Sequence, residues 1–280
     1  MSILACDALT TGYARNKPVL RDISLAFDPG ITVVIGPNGA GKSTLLRALL
    51  GTHPVWSGSV LLQGQPLHSV PPRQRALRMA YLAQRSTVSS NFSVREVIAL
   101  GQYASQPSSR AIDDALERIG MADHAERPYH ALSVGQQQRI ALARVLAQLA
   151  GREDGAVLLA DEPVAAMDPA HASRCFALLR TLAAQGTAVV IVLHDLTQAI
   201  RIADRAAALA PDGTLAGTGP ATELLEPEQL RAIFGVAFDA AAIAARLREA
   251  VAADMARNRN VQVDPDDVVI VPGGKITMAF

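Results

Sequence analysis

Lysine is almost missing from this chain: of 26 basic residues only Lys17, Lys42 and Lys275 are lysines, and arginine carries the rest. Cysteine is limited to Cys6 and Cys175. They lie far apart without metal-ligand spacing, which excludes a disulfide framework or a cysteine metal cluster and favours a reducing, cytosolic setting. An excess of either charge sign is also missing, because the formal net charge is zero, and a generally basic nucleic-acid binder is excluded on that ground. No run approaches the ~18 to 20 apolar residues of a membrane span; Ala156 to Ala160 and Ala188 to Leu193 have the length of buried strands. The first ten residues carry no charged region followed by a long apolar stretch, so no signal peptide is read there. Aromatic residues make up only 4% of the chain, which lends weight to any that stands beside a motif. Apolar residues, by contrast, make up 50% of the 280 positions, ample for one large domain or two modest ones.

What is present begins with Ile31-Thr32-Val33-Val34-Ile35, a β-branched run that leads straight into Gly36-Pro37-Asn38-Gly39-Ala40-Gly41-Lys42-Ser43 and then Thr44-Leu45-Leu46. The order is strand, glycine-rich loop, helix. Such a loop turns successive backbone NH groups inward around phosphates, and Gly36, Gly39 and Gly41 permit positive φ and close backbone approach. The helix start adds its partial positive charge. Lys42 is expected to reach the outer phosphates, Ser43 to ligate Mg²⁺, and Thr44 to hold phosphate from the helix start. A lysine kept here by a chain so biased to arginine supports a nucleoside triphosphate site.

Short apolar segments at Ile31 to Ile35, Val157 to Ala160 and Ala188 to Leu193 read as strands of a sheet covered on both faces. Ligands in such sheets bind beyond the carboxyl ends of the strands, where the candidate motifs fall. Residues 3–8, 24–27 and 59–63 read as an antiparallel flank. From about 86 to 149 helix-period sequence takes over: Val94 to Leu100 follows a Ser93 cap, and Ile112, Ala115, Leu116 and Ile119 share one helical face ending at Gly120. That stretch reads as an inserted helical subdomain. Residues 236–280 read as an extension with a helix from Asp239 to Arg257, a strand from Val268 to Val271, a Pro272-Gly273-Gly274 turn and a strand from Ile276 to Phe280.

Two further segments carry chemistry. Val157-Leu158-Leu159-Ala160-Asp161-Glu162 puts adjacent carboxylates at a strand end; Asp161 is expected to hold Mg²⁺ through water and Glu162 to polarise the attacking water. Leu132-Ser133-Val134-Gly135-Gln136-Gln137-Gln138-Arg139 precedes a helix, with Ser133 as its N-cap, and reads as a second phosphate-binding helix start.

With these in place the chain resembles the ATP-binding cassette (ABC) ATPases over about residues 3 to 235. Their signature L-S-G-G-Q stands here as Leu132-Ser133-Val134-Gly135-Gln136, and the other elements are present in order: Tyr13 as adenine platform, Gln84 in Tyr81-Leu82-Ala83-Gln84, Asp168 in Ala165-Ala166-Met167-Asp168, and His194 after Val192-Leu193. The resemblance implies an α/β fold: a P-loop NTPase, RecA-like core with an antiparallel β flank and an inserted helical subdomain. It implies ATP and Mg²⁺ as ligands, with Tyr13, the loop from Gly36 to Thr44, Ser133, Gly135, Gln136 and Asp168 at the nucleotide and Ser43, Gln84 and Asp161 at the metal. Glu162, His194 and Gln84 take the catalytic roles, His194 by a hydrogen bond to the γ-phosphate. Asp168 is read as a dimer contact rather than a metal ligand. Departures from the family pattern are Val134 for the first signature glycine, Ala160 for a bulky aliphatic, and Val164-Ala165 for Thr-Ser; Val134 bears on catalytic rate more than on binding.

In the resembled family the signature of one subunit completes the ATP site of another, so one copy of each motif implies a head-to-tail dimer. A single cassette without membrane spans resembles an importer's ATPase subunit, cytoplasmic and peripheral on the inner face of the cell membrane through permease subunits, served by a periplasmic or surface substrate-binding protein. Asp168-Pro169-Ala170-His171, Ile233-Phe234-Gly235-Val236 and Val269-Ile270-Val271-Pro272 look like the subfamily that imports ferric siderophores, haem and cobalamin. Tyr81 to Ser86 followed by Phe92-Ser93-Val94 is also compatible with zinc or manganese importers. Non-transport alternatives are an ABC ATPase of DNA repair or the ribosome, disfavoured by the short insert and single cassette, and a nucleotide-sensing module with little turnover, motivated by Val134.

Overall fold

The computed structural model describes residues 2–14, 17–84, 88, 91–234, 268–270 and 276–278. The chain opens with β1 (Leu4–Ala14), β2 (Lys17–Phe27) and β3 (Gly30–Ile35), then α1 (Lys42–Leu50), β4 (Ser57–Leu62), β5 (Gln65–Pro66), α2 (Pro72–Arg78) and β6 (Met79–Leu82). A helical stretch comes next, α3 (Val94–Ala99), α4 (Ser109–Arg118) and α5 (Val134–Leu149). The core resumes with β7 (Val157–Asp161), α6 (Pro169–Ala184), β8 (Ala188–Val192), α7 (Leu196–Ile202), β9 (Arg205–Leu209) and β10 (Leu215–Pro220), then α8 (Ala221–Leu224) and α9 (Pro227–Phe234). Finally β11 (Val268–Ile270) pairs antiparallel with β12 (Ile276–Met278). The helix read over Asp239 to Arg257, the Pro272 to Gly274 turn and the ends of both strands read beyond it lie outside the described residues.

The central sheet has the order β10-β9-β3-β8-β7-β6. Its strands from β9 to β6 are parallel, and β10 joins the edge antiparallel. Both faces are buried, and the alternation of side chains shows it. Ile31, Val33 and Ile35 of β3 face one core with Leu158 and Ala160 of β7, while Val34, Val157 and Leu159 face the other. This is why these strands read as continuous apolar runs in the sequence. The first core is filled by α5 and α6, and the second by α1 and the antiparallel sheet β2-β1-β4-β5.

The antiparallel strands run longer than their apolar patterning suggests, Leu4–Ala14 and Lys17–Phe27 against the shorter segments read from sequence. Register shifts between Cys6 and Ala14 break the alternation that would mark a strand. β9 and β6 have no clear sequence signal either. Arg205-Ala206-Ala207-Ala208-Leu209 has helix-favouring composition, but its alanines are fully buried between β3 and β10, where tertiary pairing overrides propensity.

In the helical stretch, Ile112, Ala115, Leu116 and Ile119 all point into the core. Ser93 caps α3 through a capping box with Glu96. Arg174 of α6 joins this stretch to the central domain by donating to the carbonyl oxygens of Arg118 (2.8 Å) and Glu117 (3.2 Å) at the end of α4. Both cysteines are free and buried, and burial pushes the Cys6 thiol up to about 11 and Cys175 to about 12. Among the described residues, no helix is long and apolar enough to cross a membrane.

Candidate functional site

Four neighbouring strands, β3, β8, β7 and β6, deliver their carboxyl ends to one edge of the central sheet. Adjacent strands lie about 4.8 Å apart, so the groups at their ends form a row: the glycine-rich loop after β3, His194 after β8, Asp161 and Glu162 at the end of β7, and Gln84 after β6. Segments distant in sequence thereby meet at one sheet edge, as open parallel sheets arrange their ligand sites.

The loop after β3 is built for close backbone approach. Gly36, Gly39 and Gly41 have φ of 150°, 84° and 96°. A Cβ on Gly41 would lie 2.7 Å from Leu20 Cδ2, so the position needs both the left-handed conformation and the missing side chain. Pro37 is half-buried, Asn38 is exposed and Ala40 is buried beneath the turn. Gly41 is the N-cap of α1 and no side chain caps that helix start, leaving the first-turn NH groups of Ser43 and Thr44 to a ligand. Lys42 is buried, and its Nζ donates to the carbonyl oxygens of Gly36 (2.7 Å) and Pro37 (3.0 Å). Burial pulls its pKa down, opposed by the charges of Glu162 and Asp161, which places both carboxylates within electrostatic reach of the ammonium.

At the end of β7, Asp161 is buried and Glu162 half-buried. Glu162 has φ of 47°, a left-handed conformation that costs a non-glycine residue about 1 to 3 kcal/mol. Both oxygens of its carboxylate are engaged. His194 Nε2 lies 2.6 Å from Oε1, and Gln84 Nε2 donates to Oε2 at 3.0 Å. The three residues expected to act catalytically thus meet at one carboxylate.

Tyr13 stands at the open side of the loop with 69% of its surface exposed, its hydroxyl 3.4 Å from Thr44 Oγ1. His53 packs edge-on against its ring with centroids 5.0 Å apart, and His53 Nε2 lies 3.2 Å from the Gly12 carbonyl oxygen. The bracing by His53 has no signal in the sequence, because a histidine in a loop matches no motif.

The signature segment starts α5. Ser133 caps the helix by accepting from the Gln136 NH (3.3 Å), and the Ser133 NH donates back to Gln136 Oε1 (2.9 Å). Val134 is 65% exposed. Gly135 is packed so closely on the loop after β7 that a Cβ there would lie 2.7 Å from the Ala166 carbonyl oxygen. Asp168 caps α6 through the His171 NH (3.0 Å) and its other oxygen lies 2.6 Å from His171 Nδ1, bonds that hold its carboxyl below the ordinary range. Ser133, Gly135 and Gln136 thus sit at the start of α5 and Asp168 at the start of α6, with Gly135 packed against the turn that follows Glu162. Gln138, within the same signature run, has no role legible in the sequence, yet its buried amide bridges the Glu162 carbonyl oxygen and the Ala166 NH.

The donor set suits a nucleotide with a hard divalent cation. Ser43, Asp161 and Gln84 carry the side-chain oxygens that would hold a magnesium ion, which would offset the charge of a bound triphosphate. Among the described residues no cluster of three or more His, Cys, Asp or Glu side chains could hold a metal alone.

The family model described as "ABC transporter" matches residues 20–165. The Hemin import ATP-binding protein HmuV of Pseudomonas fluorescens (strain Pf0-1) is 44% identical over 227 residues, covering 79% of this chain and 88% of that protein. Among solved structures, a bacterial Atm1-family ABC exporter with ATP bound superposes with a TM-score of 0.72 and 26% identity, over 82% of this chain and 41% of that one. A dimeric bacterial ABC transporter cassette shares the fold, with a TM-score of 0.70 and 23% identity over 78% of this chain and 98% of that one. A glycine-rich loop, acidic strand end, glutamine and histidine at one sheet edge, together with these relatives, establish that the chain belongs to the ATP-hydrolysing, ATP-binding proteins of the ABC transporter family.

Proposed function

We propose that this chain powers a haem importer, acting as a head-to-tail pair of copies at the cytoplasmic face of a separate permease that receives haem from a substrate-binding protein. The observation that carries the cargo assignment is the 44% identity, over most of both chains, to a protein named for hemin import. Pairing is supported by the family: in ABC ATPases the signature of one subunit completes the ATP site of another, and this chain carries one copy of each motif. A solved ABC transporter cassette of the same fold is described as dimeric. Residues 1–235 form the ATPase unit in this reading and 236–280 an appended segment.

Bound MgATP supplies the scissile phosphoanhydride and the cation that offsets its charge. Lys42 leaves the carbonyls of Gly36 and Pro37 for phosphate oxygens, an exchange of hydrogen bonds without loss of its charge. Tyr13 offers its exposed ring face to the base. Glu162 accepts the proton of the attacking water at a carboxylate oxygen, and Gln84 orients that water while His194 donates to the terminal phosphate. Glu162 Oε2 retains a lone pair beyond the bond it accepts from Gln84, so that contact orients the base without using it up.

The test is transport. The chain reconstituted with its permease in vesicles, with haem-loaded binding protein outside, is expected to couple ATP hydrolysis to haem entry. Equal stimulation by a haem-free binding protein, or entry of a ferric siderophore or Zn²⁺ in place of haem, would overturn the cargo assignment.

A further inference from the structure

Glu162 sits in a strained backbone conformation, with φ of 47°, and something must hold it there. Two main-chain bonds contribute: the Glu162 NH donates to the Val192 carbonyl oxygen (3.1 Å), and its own carbonyl accepts the Ala165 NH (3.2 Å). The third restraint comes from α5. Gln138 is 6% exposed, and its side-chain amide donates to the Glu162 carbonyl oxygen at 3.0 Å while accepting the Ala166 NH at 3.0 Å. One buried side chain therefore clasps both ends of the turn from Glu162 to Ala166. Three residues earlier on the same helix, Gly135 abuts the Ala166 carbonyl oxygen, so the turn rests on the beginning of α5.

We propose that Gln138 is a positioning residue for hydrolysis: it fixes the turn that aims the Glu162 carboxylate and ties that turn to the helix carrying the signature. Gln138 does not reach the reacting atoms. Its effect passes through the backbone of Glu162, and when the start of α5 engages a nucleotide, that engagement is transmitted to the base of the same chain. Neither a leucine nor a methionine can satisfy a buried carbonyl and a buried NH at once, and glutamine suits the place because it offers a donor and an acceptor side by side in a single planar head.

The inference rests on Glu162 being the base, and the experiment separates the two. Gln138→Leu removes both bonds at similar volume, and Gln138→Glu keeps an acceptor for the Ala166 NH while removing the donor to Glu162. Steady-state hydrolysis by the full chain with its permease is expected to show kcat reduced about 10- to 100-fold in both variants, with KM for ATP within about twofold of the parent. On a Glu162→Gln background the remaining turnover is expected to be unchanged by either Gln138 substitution, because a residue that acts through Glu162 has nothing left to orient. A simple structural role would raise KM and lower kcat in both backgrounds. Unchanged kcat in Gln138→Glu, or a further loss on the Glu162→Gln background, overturns the proposal; full turnover by Glu162→Gln alone overturns the assignment of the base instead.

Discussion

Two neighbouring residues of the signature differ in what their surroundings allow. Gly135 has no room for a Cβ because the Ala166 carbonyl oxygen is 2.7 Å from where it would lie, whereas Val134 is 65% exposed. The fold thus explains why the first glycine of the family pattern is replaceable here and the second is kept. Val134→Gly is expected to raise the maximal ATPase rate with the permease by no more than about tenfold, the equivalent of about 1.4 kcal/mol of barrier, since a β-branched residue stiffens the helix start. Gly135→Ala is expected to lower kcat sharply by displacing the loop after Glu162. The measurement is steady-state hydrolysis, and an accelerated Gly135→Ala or a Val134→Gly slower than the parent would contradict the packing argument. At this scale the sequence is highly legible. Lys42 and Glu162 stand out in it through the glycine-rich loop and the acidic strand end, and Gln84 and His194 through the resemblance to the family; the structure brings Gln84 and His194 to the Glu162 carboxylate. Gln138 and His53 do not stand out, because their roles arise from contacts across the fold with the turn after β7 and with the Tyr13 ring.

Among the elements, α6 shows how a local cap carries charge dependence. Asp168 accepts the His171 NH and faces His171 Nδ1, and these bonds lower its pKa from the ordinary 3.8. A carboxyl with a lowered folded pKa contributes stability that is fully present above pH 3.8 and fades as pH falls through the lowered value. Asp168→Asn keeps a capping oxygen and loses the titration. Its melting temperature is expected to lose less than the parent's when pH drops below 3.8, as followed by circular dichroism; an equal loss would place the acid sensitivity elsewhere. Elements are unevenly readable. β3, β7 and β8 announce themselves because burial on both faces demands continuous apolar residues. β1 and β2 conceal their length behind register shifts, and β9 hides in an alanine run whose strand conformation is imposed by its neighbours.

Across the whole molecule, strand order is the property that turns motifs into a site, and it is the least visible in the sequence. Nothing local says that β8 enters between β3 and β7, yet that insertion sets His194 against Glu162 at 2.6 Å and leaves Gln84 on the other carboxylate oxygen at 3.0 Å. In the proposed mechanism ground-state binding and chemistry depend on different residues. Lys42→Ala is expected to weaken MgATP binding about 10- to 100-fold, the loss of a charge-assisted contact. Glu162→Gln is expected to retain that binding while losing about 10²- to 10⁴-fold in turnover, so that ATP stays bound between two copies. The most direct test is gel filtration of Glu162→Gln with MgATP, with bound nucleotide identified in each fraction: a dimer carrying unhydrolysed ATP is expected, and a monomer that releases ADP at the parental rate would refute the division of labour between Lys42 and Glu162.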